Sequence, residues 1–129
     1  MEHKNFDVYV DEQGLIHLIM RGMVTKEVIE ALKVWTKKCE EVTKSQFEKT
    51  GKKVKSLVDL TNLGSEYDGE AIAIVASFAK ATDIYTEKSA TFGANWTIKF
   101  AEDIVIALSG GTNIKAFSNE EEARAWLNL

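Results

Sequence analysis

The run "LVDLTNLGSEYDGEA", Leu57 to Ala71, holds the side chains best placed for chemistry. It reads as the end of a buried strand, then a polar turn, then the start of an apolar helix. Ligands and modifications gather at such junctions in α/β proteins. Asp59 stands at the strand end, where a carboxylate can work as an acid or accept backbone amides of the following turn. The amide-accepting role is the expected one. Tyr67 and Asp68 follow at the helix start. They suit contact with a partner, and equally a solvated turn with Asp68 as N-cap. Ser65 is the one serine in the turn.

The rest of the chain offers little catalytic material. His3 lies near the N-terminus and His17 in mid-strand, where a hydrogen-bonded structural role is expected. Cys39 belongs to an apolar helical stripe and reads as inert core. No phosphate loop, nucleophile elbow or zinc-ligand spacing is present. "LSGGTN" is glycine-rich but follows a helix, which suits a helix stop rather than a phosphate cradle. "GAN" joins a strand end to a helix, so Asn95 is both a candidate cap and a candidate anion contact. An enzyme built on Asp59 and the strand-end loops lacks a paired base and nucleophile. No catalytic set, metal or cofactor is therefore expected.

At 129 residues the chain is expected to form a single domain over 1–129, large enough for a real core. The net charge of −4, with no concentrated basic patch, argues against nucleic acid as a partner. No apolar run reaches the ~18 residues of a membrane span, and the first ten residues lack a signal-peptide pattern. One cysteine permits no internal disulfide, so a reducing, cytoplasmic setting is expected.

These side chains must be positioned by elements visible as pattern. "KNFDVYVD" and "LIHLIMRG" around "EQG" predict a β-hairpin, with Phe6, Val8 and Val10 on one face and Ile16, Leu18 and Met20 on one face. The opposite faces, with Asp7, Tyr9, His17 and Ile19, are mixed, so helices should cover mainly one side. Val28, Leu32, Trp35, Cys39, Val42 and Gln46 recur at helical spacing and predict a helix over about Thr25–Lys49, capped by Thr25 and stopped by Gly51. "KVKSLVDL", "KSATFGA" and "TNIKAF" read as three further strands. "DGEAIAIVASFAKAT" and "WTIKFAEDIVIALS" read as helices. Ser118 and Glu121 suggest a capping box for a last helix pinned by Trp126 and Leu127. The order ββαβαβαβα predicts a mixed sheet of about five strands with four main helices.

This order, with "SLVDLTNLG" in the third strand and "FSNEEEARAWL" at the end, resembles the STAS superfamily and, within it, the SpoIIAA-like branch. The motif residues are Asp59, Leu60 and Thr61, then Phe117, Glu120 to Glu122, Ala123, Trp126 and Leu127. The resemblance implies a non-enzymatic module acting through protein association, or, by a relationship to CRAL-TRIO-like proteins, one holding a small apolar or lipid ligand. It also raises the alternative of an anti-sigma factor antagonist switched by phosphorylation. Such antagonists carry a phosphorylatable serine in an Asp-Ser-Ser-Gly-type turn after the third strand. Here Asp68 matches the acidic position, while Gly69 and Glu70 occupy the serine positions. A phosphoswitch is therefore not expected.

The second and third helices carry the sharpest expectation. "AIAIVASFAKAT" is apolar on nearly every side. Ala71, Val75 and Phe78 can face the sheet, while Ala73, Ser77 and Ala81 line another side beside Ile74. The third helix is also apolar on two sides, including Ala101 and Val105. Something must cover these faces. The two helices could cover each other. Otherwise they leave a strip for a partner or second copy, or enclose a ligand pocket.

Overall fold

The computed structural model describes residues 3–93, 96–110 and 113–129. In chain order the elements are β1 (Phe6–Val10), β2 (Ile16–Met20), β3 (Gly22–Val24), α1 (Ile29–Thr50), β4 (Val54–Asp59), β5 (Leu63–Tyr67), α2 (Gly69–Thr82), β6 (Thr86–Phe92), α3 (Trp96–Ser109), β7 (Ile114–Phe117) and α4 (Glu120–Leu127). The main sheet has five strands in the order β1-β2-β4-β6-β7. β1 and β2 pair antiparallel, with Val8 opposite Leu18, and every later pairing is parallel. The expected mixed sheet and four helices are thus present.

Side-chain alternation divides the molecule into two layers of core. Leu18, Met20, Val54 and Val58 face a cluster that includes Leu32, Trp35 and Cys39 of α1, Ala71 of α2 and Ile98 of α3. The odd positions of β4 and, beyond the register shift after Thr86, the even positions of β6 point the other way. There Leu57, Ala90 and Phe92 pack with Leu15 and with Ala123 and Leu127 of α4. Three helices therefore cover one face, and α4 covers part of the other.

Four local expectations need correction. The polar turn after Asp59 contains β5, which pairs in parallel with β3 as a separate two-stranded sheet. Gly64 lets the strands close up, since a Cβ there would lie 2.4 Å from Met23 Sδ. That glycine, with Ser65 and Glu66, hides the strand from pattern reading. The first helix begins later than Thr25, after a 3₁₀ turn at Lys26–Val28, and the Thr25 side chain bonds Glu27 rather than capping the backbone. The last helix is capped one residue beyond the expected box. Asn119 Oδ1 accepts the Glu122 amide at 2.9 Å, and its Nδ2 donates to Glu122 Oε1 at 3.0 Å. Lastly, Trp126 is only half-buried, and the side chain pinned in the core is Leu127. Gly51 stops α1 as expected, in the left-handed region at φ +72°.

Candidate ligand cavity

A cavity of about 140 Å³ lies between the sheet and the inner sides of α2 and α3. Its floor comes from β2 and β4, through Met20 and Val58, and its roof from Val75 and Phe78 of α2 and Ala101 and Val105 of α3. Trp35 of α1 and Leu63 and Tyr67 of β5 complete the wall. The cavity exists because the roof residues are not driven fully home: Val75, Phe78, Ala101 and Val105 are all half-buried. An apolar cavity of about 150 Å³ can stay dry and bind a benzene-sized molecule.

One ionisable group stands in this wall. Glu102 of α3 is 8% exposed, and its carboxylate accepts a hydrogen bond from the Thr91 hydroxyl on β6. Burial pushes its carboxyl above the ordinary glutamate range, and the Thr91 bond offsets part of that shift. A smaller space of about 40 Å³ adjoins the first and shares Leu18, Phe78, Ala79, Ser89 and Ile114 with it. Its wall is mixed, with Ser56, Thr82, Thr86 and Asn113 beside the shared apolar side chains.

The residues singled out from sequence are not gathered into one place. Asp59 Oδ1 accepts the Thr61 amide at 2.9 Å, the turn-forming role. Asp68 caps α2 by accepting the Glu70 amide at 2.8 Å. Tyr67 reaches the cavity wall. Ile74 packs against the main core and, with exposed Ser77, lines a shallow surface groove between α1 and α2. Lys33 bridges Glu30 and Glu70 beside that groove, at 3.4 and 3.3 Å. Ala81 is exposed near the end of α2. Asn95 lies outside the described residues. Sequence reasoning passed over Trp35, Glu102, Ser89, Thr91 and Asn113 as wall residues. Only the topology brings α1, α3, β6 and β7 to one space, and no local spacing encodes it.

Elsewhere the chemistry is structural. His17 Nε2 donates to Asp11 Oδ2 at 2.8 Å, and its ring stacks on Tyr9 at 4.4 Å. Burial works against ionisation of Asp11, but bonds from His17 and from the Leu15 and Gln13 amides hold its carboxyl below the usual range. Cys39 is fully enclosed, and burial pushes its thiol far up, so it is not a nucleophile. Among the described residues no group of His, Cys, Asp or Glu is arranged to hold a metal ion, and no helix is long and apolar enough to cross a membrane.

Hairpin, parallel continuation and helices on both faces define a STAS-like α/β fold. The family model for SpoIIAA-like proteins matches residues 15–128, and the chain belongs to that family. An uncharacterised protein with a SpoIIAA-like fold from Shewanella loihica PV-4 superposes with a TM-score of 0.61 at 14% identity, covering 95% of this chain and 91% of its own. The anti-sigma factor antagonist SpoIIAA in its unphosphorylated form gives a TM-score of 0.61 at 10% identity, covering 95% of this chain and 97% of its own. At such identities the likeness is one of fold. No curated protein matches the sequence.

Proposed function

We propose that this SpoIIAA-like protein is a non-enzymatic binding module that holds a small apolar ligand between its sheet and α2–α3. The observation that carries this reading is the cavity of about 140 Å³ whose lining is almost wholly aliphatic and aromatic. A core of this size normally closes such a space, because unfilled apolar volume costs about 24 cal/mol per Å³. A bound ligand recovers that loss. The scattered placement of Asp59, His17 and Cys39 supports a role without catalysis.

A second reading, association with a protein, draws on a different observation. Phe100 and Leu108 of α3 are 60% and 61% exposed, outside the cavity. The two readings are compatible if ligand occupancy alters how α3 presents these side chains.

The test is a melting curve in saturating toluene. A ligand that binds only the folded state raises Tm in proportion to the logarithm of its concentration over Kd. The expected result is a rise in Tm that grows with the logarithm of toluene concentration and that Ala101→Phe, which fills the chamber, removes. Unchanged melting and unchanged methyl NMR shifts in toluene would sink the ligand reading.

A further inference from the structure

We propose that the free edge of β1 docks a second copy of this chain, antiparallel and with Val8 opposite Val8 of the second copy, so that the two main sheets join into one. β1 stands at the end of the sheet, with β2 as its neighbour. The bonds of this pair fix which residues face outward. Arg21 N donates to Asn5 O at 2.7 Å and Asp11 N to Leu15 O at 3.0 Å, just beyond the two ends of the strand. In an antiparallel pair, hydrogen-bonded and non-bonded residues alternate. Asn5, Asp7, Tyr9 and Asp11 therefore bond the β2 side, and Phe6, Val8 and Val10 turn their amides and carbonyls away from it. Two of these amides accordingly make local bonds outside the ladder. Phe6 N donates to His3 O at 3.1 Å and Val8 N to Asp7 Oδ1 at 3.0 Å. An open edge of this kind is a template for another strand.

Shape, pairing and charge select a second copy as that strand. Phe6, Val8 and Val10 share the face that α1 covers, but the cover is incomplete: Phe6 and Val8 are buried and Val10 is 37% exposed. Beside the covered part lies a recess of about 40 Å³ whose wall includes Phe6, Val8, Trp35 and Val34, and Val34 is itself 62% exposed. With Val8 on a two-fold axis, Val10 of the second copy lies beside Phe6, against this recess. The reverse contact follows by symmetry, so each copy covers the valine the other leaves open. The same register sets Tyr9 of one copy opposite Asp7 of the other. The Val8 amide exchanges Asp7 for the Val8 carbonyl of the second copy, which leaves the Asp7 carboxylate to accept from the Tyr9 hydroxyl. Exposed Lys4 precedes the strand and exposed Glu12 follows it. Antiparallel pairing brings Lys4 of each copy to the end where the other presents Glu12.

The experiment is sedimentation equilibrium of the full chain from low micromolar to near-millimolar concentration. The expected result is a monomer–dimer equilibrium. Val10→Pro removes an outward amide that β2 does not use, a position where an edge strand tolerates proline. It should weaken the dimer by roughly tenfold or more, the scale of one hydrogen bond lost twice by symmetry. Val34→Glu, on the exposed side of α1, should weaken it as well and serves if Val10→Pro does not fold. Lys4→Glu should weaken association several-fold, and the double variant Lys4→Glu with Glu12→Lys should restore it at unchanged net charge. Amide exchange at Val10 should slow as the dimer forms. A natural protein that stays monomeric over the whole range would overturn the inference. So would a dimer that folded Val10→Pro and Val34→Glu proteins both keep, or one that Phe100→Glu on α3 dissolves instead. Failure of the double charge reversal to restore association would overturn the antiparallel register. None of these outcomes depends on the chamber holding a ligand, so the two proposals stand or fall separately.

Discussion

The Thr91 hydroxyl of β6 hydrogen-bonds the Glu102 carboxylate of α3, tying the outermost of the three covering helices to the sheet. This bond crosses a wall that is otherwise apolar, and burial holds the Glu102 carboxyl above its ordinary range. In the unfolded chain Glu102 titrates as an ordinary glutamate. Between that value and the raised folded one, the folded state binds more protons than the unfolded state. Stability therefore falls as pH rises through this window, and the loss is complete above the folded pKa. Glu102→Gln keeps an acceptor for Thr91 and removes the charge. Its melting temperature should exceed that of the natural protein at pH 7, and the difference should vanish at pH values below the ordinary glutamate range. A constant offset at all pH values would show that packing, not ionisation, governs this site.

A second prediction concerns the docking of α4. Lys55 Nζ donates to the Leu127 carbonyl at 2.6 Å and Lys88 Nζ to the Trp126 carbonyl at 2.9 Å, so two sheet lysines cap the C-terminal carbonyls of the helix. Cations there also complement the helix dipole. Leu127 is wholly buried among Leu57, Ala90 and Phe92, whereas Trp126 lies half-exposed with Lys88 Nζ 4.9 Å from its ring. Leu127→Ala should cost ~2–5 kcal/mol in urea unfolding. Trp126→Ala should cost only about 1–2 kcal/mol, since half its surface already meets water and its cation–π contact is worth under about 1 kcal/mol. Equal losses would contradict the different burial of the two side chains.

These differences mark how far the sequence could be read. Periodicity located β1, β2, β4, β6, β7 and all four helices, because apolar residues recur in each at strand or helix spacing. It missed β3 and β5, which are short and carry Gly22, Gly64 and polar residues. It assigned Trp126 to the core on size, but position on α4 turns Ala123 and Leu127, four apart, inward instead. The apolar excess of α2 and α3 was legible, but whether it closes on itself, leaves a strip or lines a space against the sheet was not. Nor were Asn113 and Glu102, because a polar residue's burial depends on neighbours brought from distant strands.

Two glycines give a third prediction, with opposite signs. Gly93 has φ +87°, and a Cβ there would lie 2.8 Å from the backbone of Thr61, where Leu60 N donates to Phe92 O at 3.0 Å. Gly93→Ala should destabilise by ~2 kcal/mol or more, combining left-handed strain with the clash. Gly69 opens α2 with nothing within 4 Å of a Cβ and no positive φ. Gly69→Ala should stabilise by about 0.4–1 kcal/mol by narrowing the unfolded ensemble. Paired thermal melts check both, and a loss at Gly69 would mean that its freedom is used in another conformation.

The last prediction is that no serine between Thr61 and Gly69 acts as a regulatory phosphoacceptor. Ser65 is exposed in the middle of β5, away from a helix start, so a phosphate there would have no helix N-terminus to bond. At the start of α2 the residues are Asp68, Gly69 and Glu70, with Asp68 already accepting the Glu70 amide. Glu70 also puts a permanent negative charge at the helix N-terminus, beside Lys33 at 3.3 Å, where it favours the helix by roughly 0.3–1 kcal/mol without modification. The start of α2 therefore already carries a fixed negative charge without modification. Intact mass measurement of protein from its native cells should show no phosphate on Ser65, and Ser65→Ala should leave melting within about 0.5 kcal/mol of the natural protein. Stoichiometric phosphate on Ser65 that disappears when a single kinase is deleted would restore the antagonist-type switch as the working model.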